Sequence, residues 1–103
     1  MSEREYLLLL HGGSVWALPR ASVRTLQRDG RNVRVTSLGG ELHVGEALGI
    51  ARGLAVRRPG ALLERLWPER CVGLAVHGGK PVVVIDPEVP PAALRGEGAA
   101  AHD

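Results

Sequence analysis

Apolar residues in this chain fall into short runs, three to five long, separated by glycine pairs and prolines. Residues 7–10 (LLLL) and 82–85 (VVVI) are apolar at every position, the pattern of strands covered on both faces. Each run belongs to a similar unit, LLLLHGGSVWALP near the start and LAVHGGKPVVVIDP near the end. Glycine reaches positive φ without steric penalty, so Gly-Gly between apolar runs predicts a β-hairpin in each unit. Pro19 and Pro87 stop the returning strands, because proline has no N–H for the ladder.

Between the two units the pattern alternates. Val33 and Val35 share one face of a strand, and Asp29-Gly30 is a favoured type I′ turn pair before it. Gly39-Gly40 predicts another turn, followed by a short strand with Leu42 and Val44 inward. Residues 45–54 (GEALGIARGL) place Ala47, Leu48, Ile50, Ala51 and Leu54 at helix-like spacing. Three glycines weaken that helix by roughly 1 kcal/mol each, so the expectation is a short helix or an irregular loop. Residues 61–67 (ALLERLW) predict the clearest helix, with Leu62, Leu63, Leu66 and Trp67 as its apolar stripe and Pro68 as its stop. The prediction is a mainly β fold: a small antiparallel barrel or sandwich of six to seven strands with one or two short helices. It spans residues 1–96 as a single domain, with a disordered tail over 97–103.

Composition changes this picture little. The chain has 103 residues, 45% apolar and 23% charged, within the ordinary globular range. With two Trp, one Tyr and no Phe, the core has to be aliphatic. The net charge of +2 is too small to imply nucleic acid by itself. Cys71 is the single cysteine, so neither an intramolecular disulfide nor a multi-cysteine metal site can form, and a buried apolar role is expected for it. No apolar run is long enough for a secretory leader or a membrane span, which predicts a cytoplasmic protein with no membrane partner.

Candidate chemistry is sparse. His11 and His77 precede the two Gly-Gly turns, and imidazoles brought together there, with His43, could hold a metal. The simpler reading is that each histidine belongs to its turn, and neither a metal nor another cofactor is expected. Five arginines lie between Arg20 and Arg34, opposed only by Asp29, and Arg24, Arg28 and Arg34 could form one basic face. No aromatic is interleaved to stack bases, and charge on exposed strands also deters edge pairing. Glu64 with Glu69 and Asp86 with Glu88 are neighbours in sequence only. No nucleophile–base pair or phosphate loop is present, so the chain is not expected to be an enzyme.

The opening segment resembles the CheW-like adaptor domain of bacterial chemosensory arrays. The residues that carry the likeness are Leu7 to Leu10, Gly12-Gly13, Trp16-Ala17-Leu18-Pro19 and Val23, in the family's order. Leu38-Gly39-Gly40-Glu41-Leu42 is loosely similar to a second family segment, and Val84-Ile85-Asp86-Pro87 to its closing strand. Members are typically longer, with two five-stranded barrels, and residues 57–67 depart from the pattern. Arg28 to Val35 (RDGRNVRV) is similar to a segment of LytTR-type DNA-binding domains, but the aromatic-rich strand that follows in that family is missing.

These readings together predict a non-enzymatic protein-interaction or scaffold module, and the resemblance implies one of chemosensory-adaptor type. The expected partner is a protein, with a homodimer as the simplest assembly and nucleic acid disfavoured. Leu7, Leu9, Val83 and Ile85, as the surplus apolar face of a small sheet, and Leu63 and Trp67, on the helix, are the expected contact residues. Two alternatives stand beside it: a nucleic-acid-binding β domain using the arginines from Arg20 to Arg34, and a ligand-binding or enzymatic subunit whose site forms only on oligomerisation.

Overall fold

Strands dominate the computed structural model, which describes residues 4–58, 73–89 and 91–95. In chain order they are β1 (Glu5–His11), β2 (Ser14–Pro19), β3 (Val23–Asp29), β4 (Asn32–Ser37), β5 (Gly40–Val44), β6 (Glu46–Arg52), β7 (Gly73–His77) and β8 (Lys80–Val84). A single 3-10 turn, Arg20–Ser22, links β2 to β3, and a one-turn helix α1 (Ala92–Arg95) follows β8. Five strands form one sheet in the order β6-β1-β2-β8-β7, and β3-β4-β5 form a second. The arrangement is sandwich-like, as the alternation predicts, and the described residues hold eight strands, one more than the upper expectation of seven.

Both His-Gly-Gly segments are tight hairpin turns. Gly12 and Gly13 have φ of +62° and +79°, and Gly78 and Gly79 have +60° and +79°, the type I′ pattern that only glycine adopts freely. The two hairpins meet through their second strands, which run parallel, with Val15 beside Val82 and Ala17 beside Val84. The order β1-β2-β8-β7 therefore relates the hairpins by an approximate half-turn about an axis along the strands. That operation exchanges the two faces. Trp16 and Val82, each third after its Gly-Gly, accordingly lie in cores on opposite sides of the sheet.

The inter-sheet core contains Leu7, Leu9, Trp16, Leu18, Val83 and Ile85 from the large sheet and Val33, Val35, Leu42 and Val44 from the small one, with Leu94 of α1. On the other face of the large sheet, Tyr6, Leu8, Ala17, Ala51, Ala75, Val82 and Val84 form a second cluster, against which Leu54 and Val56 pack. Each fully buried Leu or Val contributes about 1.5–3 kcal/mol of transfer free energy, so the sheet buried on both faces dominates the stability. Among the described residues, the two buried serines are matched locally. Ser22 Oγ donates to the Pro19 carbonyl (2.7 Å), and Ser37 Oγ donates to that of Gly40 (3.1 Å).

Three local expectations are corrected. Residues 46–52 form strand β6 on the free side of β1, rather than a helix or a loop. A bulge explains the misleading pattern. Ala47 stands opposite Leu9, Gly49 opposite Leu8 and Ile50 opposite Leu7, so Leu48 is an extra residue and Ala47 and Ile50 share a face. One inserted residue in a strand thus imitates the i, i+3 spacing of a helix. The turn after β3 centres on Gly30-Arg31, with Asp29 paired to Asn32 and positive φ at Gly30 alone, the II′ rather than the I′ pattern. The β4–β5 turn centres on Leu38-Gly39, since Ser37 already pairs with Gly40. The predicted helix at 61–67 and the predicted tail lie outside the described residues.

Two substitutions test this packing. Leu42 is fully buried and Leu38 is 54% exposed. In urea denaturation, Leu42→Ala is expected to cost about 2–5 kcal/mol and Leu38→Ala to stay within about 0.5 kcal/mol. Gly39 abuts the chain after β8, where a Cβ would overlap the Pro87 carbonyl oxygen and lie 2.9 Å from that of Glu88. Gly39→Ala should therefore cost about 1–3 kcal/mol through overpacking, read as a lower denaturation midpoint with an unchanged slope.

Candidate interaction surface

A sheet edge carries unpaired N–H and C=O groups, and folded proteins usually cover or guard it. Among the described residues there are four edges: β6 and β7 in the large sheet, β3 and β5 in the small one. Beyond β7, the backbone of Arg57 exchanges two 2.8 Å hydrogen bonds with Leu74. Helix α1 packs on β5. β3 carries Arg24, Arg28 and Asp29, all exposed, and is bulged at Arg24, where Val23 pairs with Ser37 but Thr25 with Thr36. Charge and a bulge are two of the recognised guards.

β6 is set apart by its apolar side chains and not by a lack of guards, since it too carries a bulge and the exposed charges Glu46 and Arg52. It holds no Lys or Pro, and its large side chains face solvent, Leu48 at 45% and Ile50 at 47% exposure. Its ends are pinned to β1, because Gly45 N–H donates to the Leu10 carbonyl (3.0 Å) and Gly53 N–H to that of Arg4 (3.1 Å). The bulge at Leu48 bends the first half and leaves Gly49 to Arg52 in regular register with β1. The charges differ at the two ends. Glu46 at the start has no ion pair among the described residues, whereas Arg52 at the finish lies 2.8 Å from Glu5, which Arg20 also approaches (3.9 Å).

A cleft of about 490 Å³ opens beside this edge, between the start of β6 and the β3–β4 hairpin. Leu26, Val33 and Ala47 give it apolar wall, and Arg28, Arg31, Asn32 and Glu46 give it polar groups of both signs. It contains no nucleophile paired with a base.

The residues singled out from sequence are placed as follows. Leu7, Leu9, Val83 and Ile85 are buried between the sheets, so the expected outward apolar patch on their strands does not form. The reason is that both faces of the large sheet are covered within the chain. Leu63, Trp67 and Cys71 lie outside the described residues. Arg28 stands opposite Val33 and Arg34 opposite Gln27, which puts these two arginines on opposite faces of the small sheet. Arg34 is half-buried and donates to Asp29 Oδ2 (3.3 Å). His11 and His77 end the outer strands of their hairpins with β2 and β8 between them. Three strand spacings amount to about 14 Å, too far for a shared ion, and His43 is instead 3.8 Å from Glu41. No group of three potential metal ligands occurs among the described residues. Sequence reasoning missed Leu48 and Ile50 because their spacing suggested a helix.

Compared with models of known protein families the chain matches none, and no curated protein matches it in sequence. No helix among the described residues is long and apolar enough to cross a membrane.

The arginines allow a direct check. Arg24 and Arg28 are exposed, and the Arg34–Asp29 pair lies at the surface, where ion pairs contribute little. Changing Arg24, Arg28 and Arg34 together to Ala is expected to alter stability by less than about 1 kcal/mol. A melting shift beyond ~8 °C would show a structural role instead.

Proposed function

We propose that this chain is a non-enzymatic protein-interaction module that receives an extended segment of a partner along β6. One observation carries the reading. Of the four sheet edges, β6 alone among the described residues combines an open backbone with exposed Leu48 and Ile50. Strand addition uses both features: backbone hydrogen bonds supply affinity and alternate side chains supply selectivity. The resemblance of residues 7–19 and 84–87 to CheW-like adaptors points toward the same class of role, with chemosensory signalling as its finer form. The dispersal of Arg28 and Arg34 onto opposite faces weakens the nucleic-acid alternative.

Selection from a library of displayed linear peptides tests the proposal. Enriched peptides should lose at least tenfold affinity for Ile50→Lys, which places a charge on the docking edge, and should bind almost equally at low and high salt. Failure to enrich any peptide, or binding that survives Ile50→Lys, would overturn it. Binding that falls steeply with salt would favour a polyanionic ligand instead.

A further inference from the structure

The protein-docking reading leaves the occupant of β6 open, and the charges around that strand narrow it. At the Arg52 end, Arg20 and Arg52 both approach Glu5, which leaves a local excess of one positive charge. At the other end, six residues or about 20 Å away, Glu46 is unpaired among the described residues. That separation exceeds the Debye length of about 8 Å at physiological salt, so the two ends act as independent charges. A second copy laid antiparallel along β6 brings each Glu46 toward the basic end of its partner. Parallel pairing would instead set one cationic cluster against the other.

Resting on the reading of β6 as the docking edge, we infer that its occupant is β6 of a second copy, joined antiparallel through the regular half from Gly49 to Arg52. A twofold axis perpendicular to the sheet generates this pair and keeps like faces together. The two five-stranded sheets then continue as one of ten strands (5 + 5), with the inter-sheet face of one copy running into that of the other. Ile50 lies opposite Leu7 on that face, so the junction covers the side chain that a single copy leaves half exposed. The junction also covers the edge that exposes Leu48 and Ile50, while the covered β7 and β5 and the bulged, charged β3 limit further growth. A closed dimer rather than a fibre follows.

Sedimentation equilibrium of the full chain, from low to high micromolar concentration, tests the inference. Wild type should pass from one chain to two. Ile50→Lys and Leu48→Lys should each remain monomeric at least tenfold beyond the wild-type midpoint, and Glu46→Arg should shift that midpoint upward, more so at low salt. All three side chains are exposed or half-exposed, and melting curves in dilute solution should show each variant folded like wild type. A wild type that stays monomeric throughout overturns the inference, as does a dimer that Ile50→Lys and Leu48→Lys leave intact. A monomeric wild type whose β6 still selects peptides would remove self-pairing and keep the docking role. Failure of both experiments would remove the docking role as well.

Discussion

A sheet whose strands are apolar on both faces has to be covered twice, and that requirement organises this molecule. β1 and β8 carry the demand, with Leu7 and Leu9 against Tyr6 and Leu8 on one strand, and Val83 against Val82 and Val84 on the other. The small sheet β3-β4-β5 covers one face with Val33, Val35, Leu42 and Val44. On the other face, Leu54 and Val56 from the segment after β6 pack against the second cluster. Several close approaches follow from the same demand. Gly73 has the Arg57 carbonyl oxygen and a Val56 methyl each 2.6 Å from where a Cβ would sit, so the covering segment can come down only over glycine. Apolar burial at about 25 cal/mol per Å² outweighs the small polar terms here, since the ion pairs among the described residues lie at exposed or partly exposed side chains.

The parallel contact of β2 with β8 lets two similar hairpins share this sheet. Because the pairing exchanges faces, equivalent positions after each Gly-Gly serve different cores, and the two units need different side chains: a Trp at 16 and a Val at 82. Trp16 also donates from Nε1 to the His11 carbonyl (3.2 Å), tying the first hairpin across its own turn. The second hairpin has Val82 at the corresponding position and no such donor. With β1 to one side of the central pair and β7 to the other, the free edges fall on β6 and β7, and of these only β7 is covered among the described residues.

Much of this was legible from residue patterns, and the exceptions have identifiable causes. The hairpins could be read from Gly-Gly between apolar runs, because few other residues tolerate two successive positive φ values. The double burial of β1 and β8 could be read from their unbroken apolar runs. Which atoms cover those runs could not, since periodicity gives a side chain's face and not what lies across from it. Periodicity alone therefore leaves Leu7 and Val83 as candidate surface contacts, whereas the small sheet and α1 share their core cluster. The strand β6 was hidden by one inserted residue, Leu48, that turned alternation into helical spacing. With β6 hidden its edge is hidden too: pairing of β1 on both sides accompanies burial of Leu7 and Ile85 and leaves Leu48 and Ile50 as exposed apolar side chains.

The central claim is that residues 46–52 are an edge strand paired to β1 and open on the other side. Solution NMR of dilute protein tests it most directly. The account predicts cross-strand proton contacts linking Leu8 to Gly49 and Leu7 to Ile50. It also predicts β6 amides in two classes, slow in exchange where they face β1 and fast where they face outward. Helical sequential contacts across 46–52, or uniformly slow exchange along β6 in dilute solution, would contradict it.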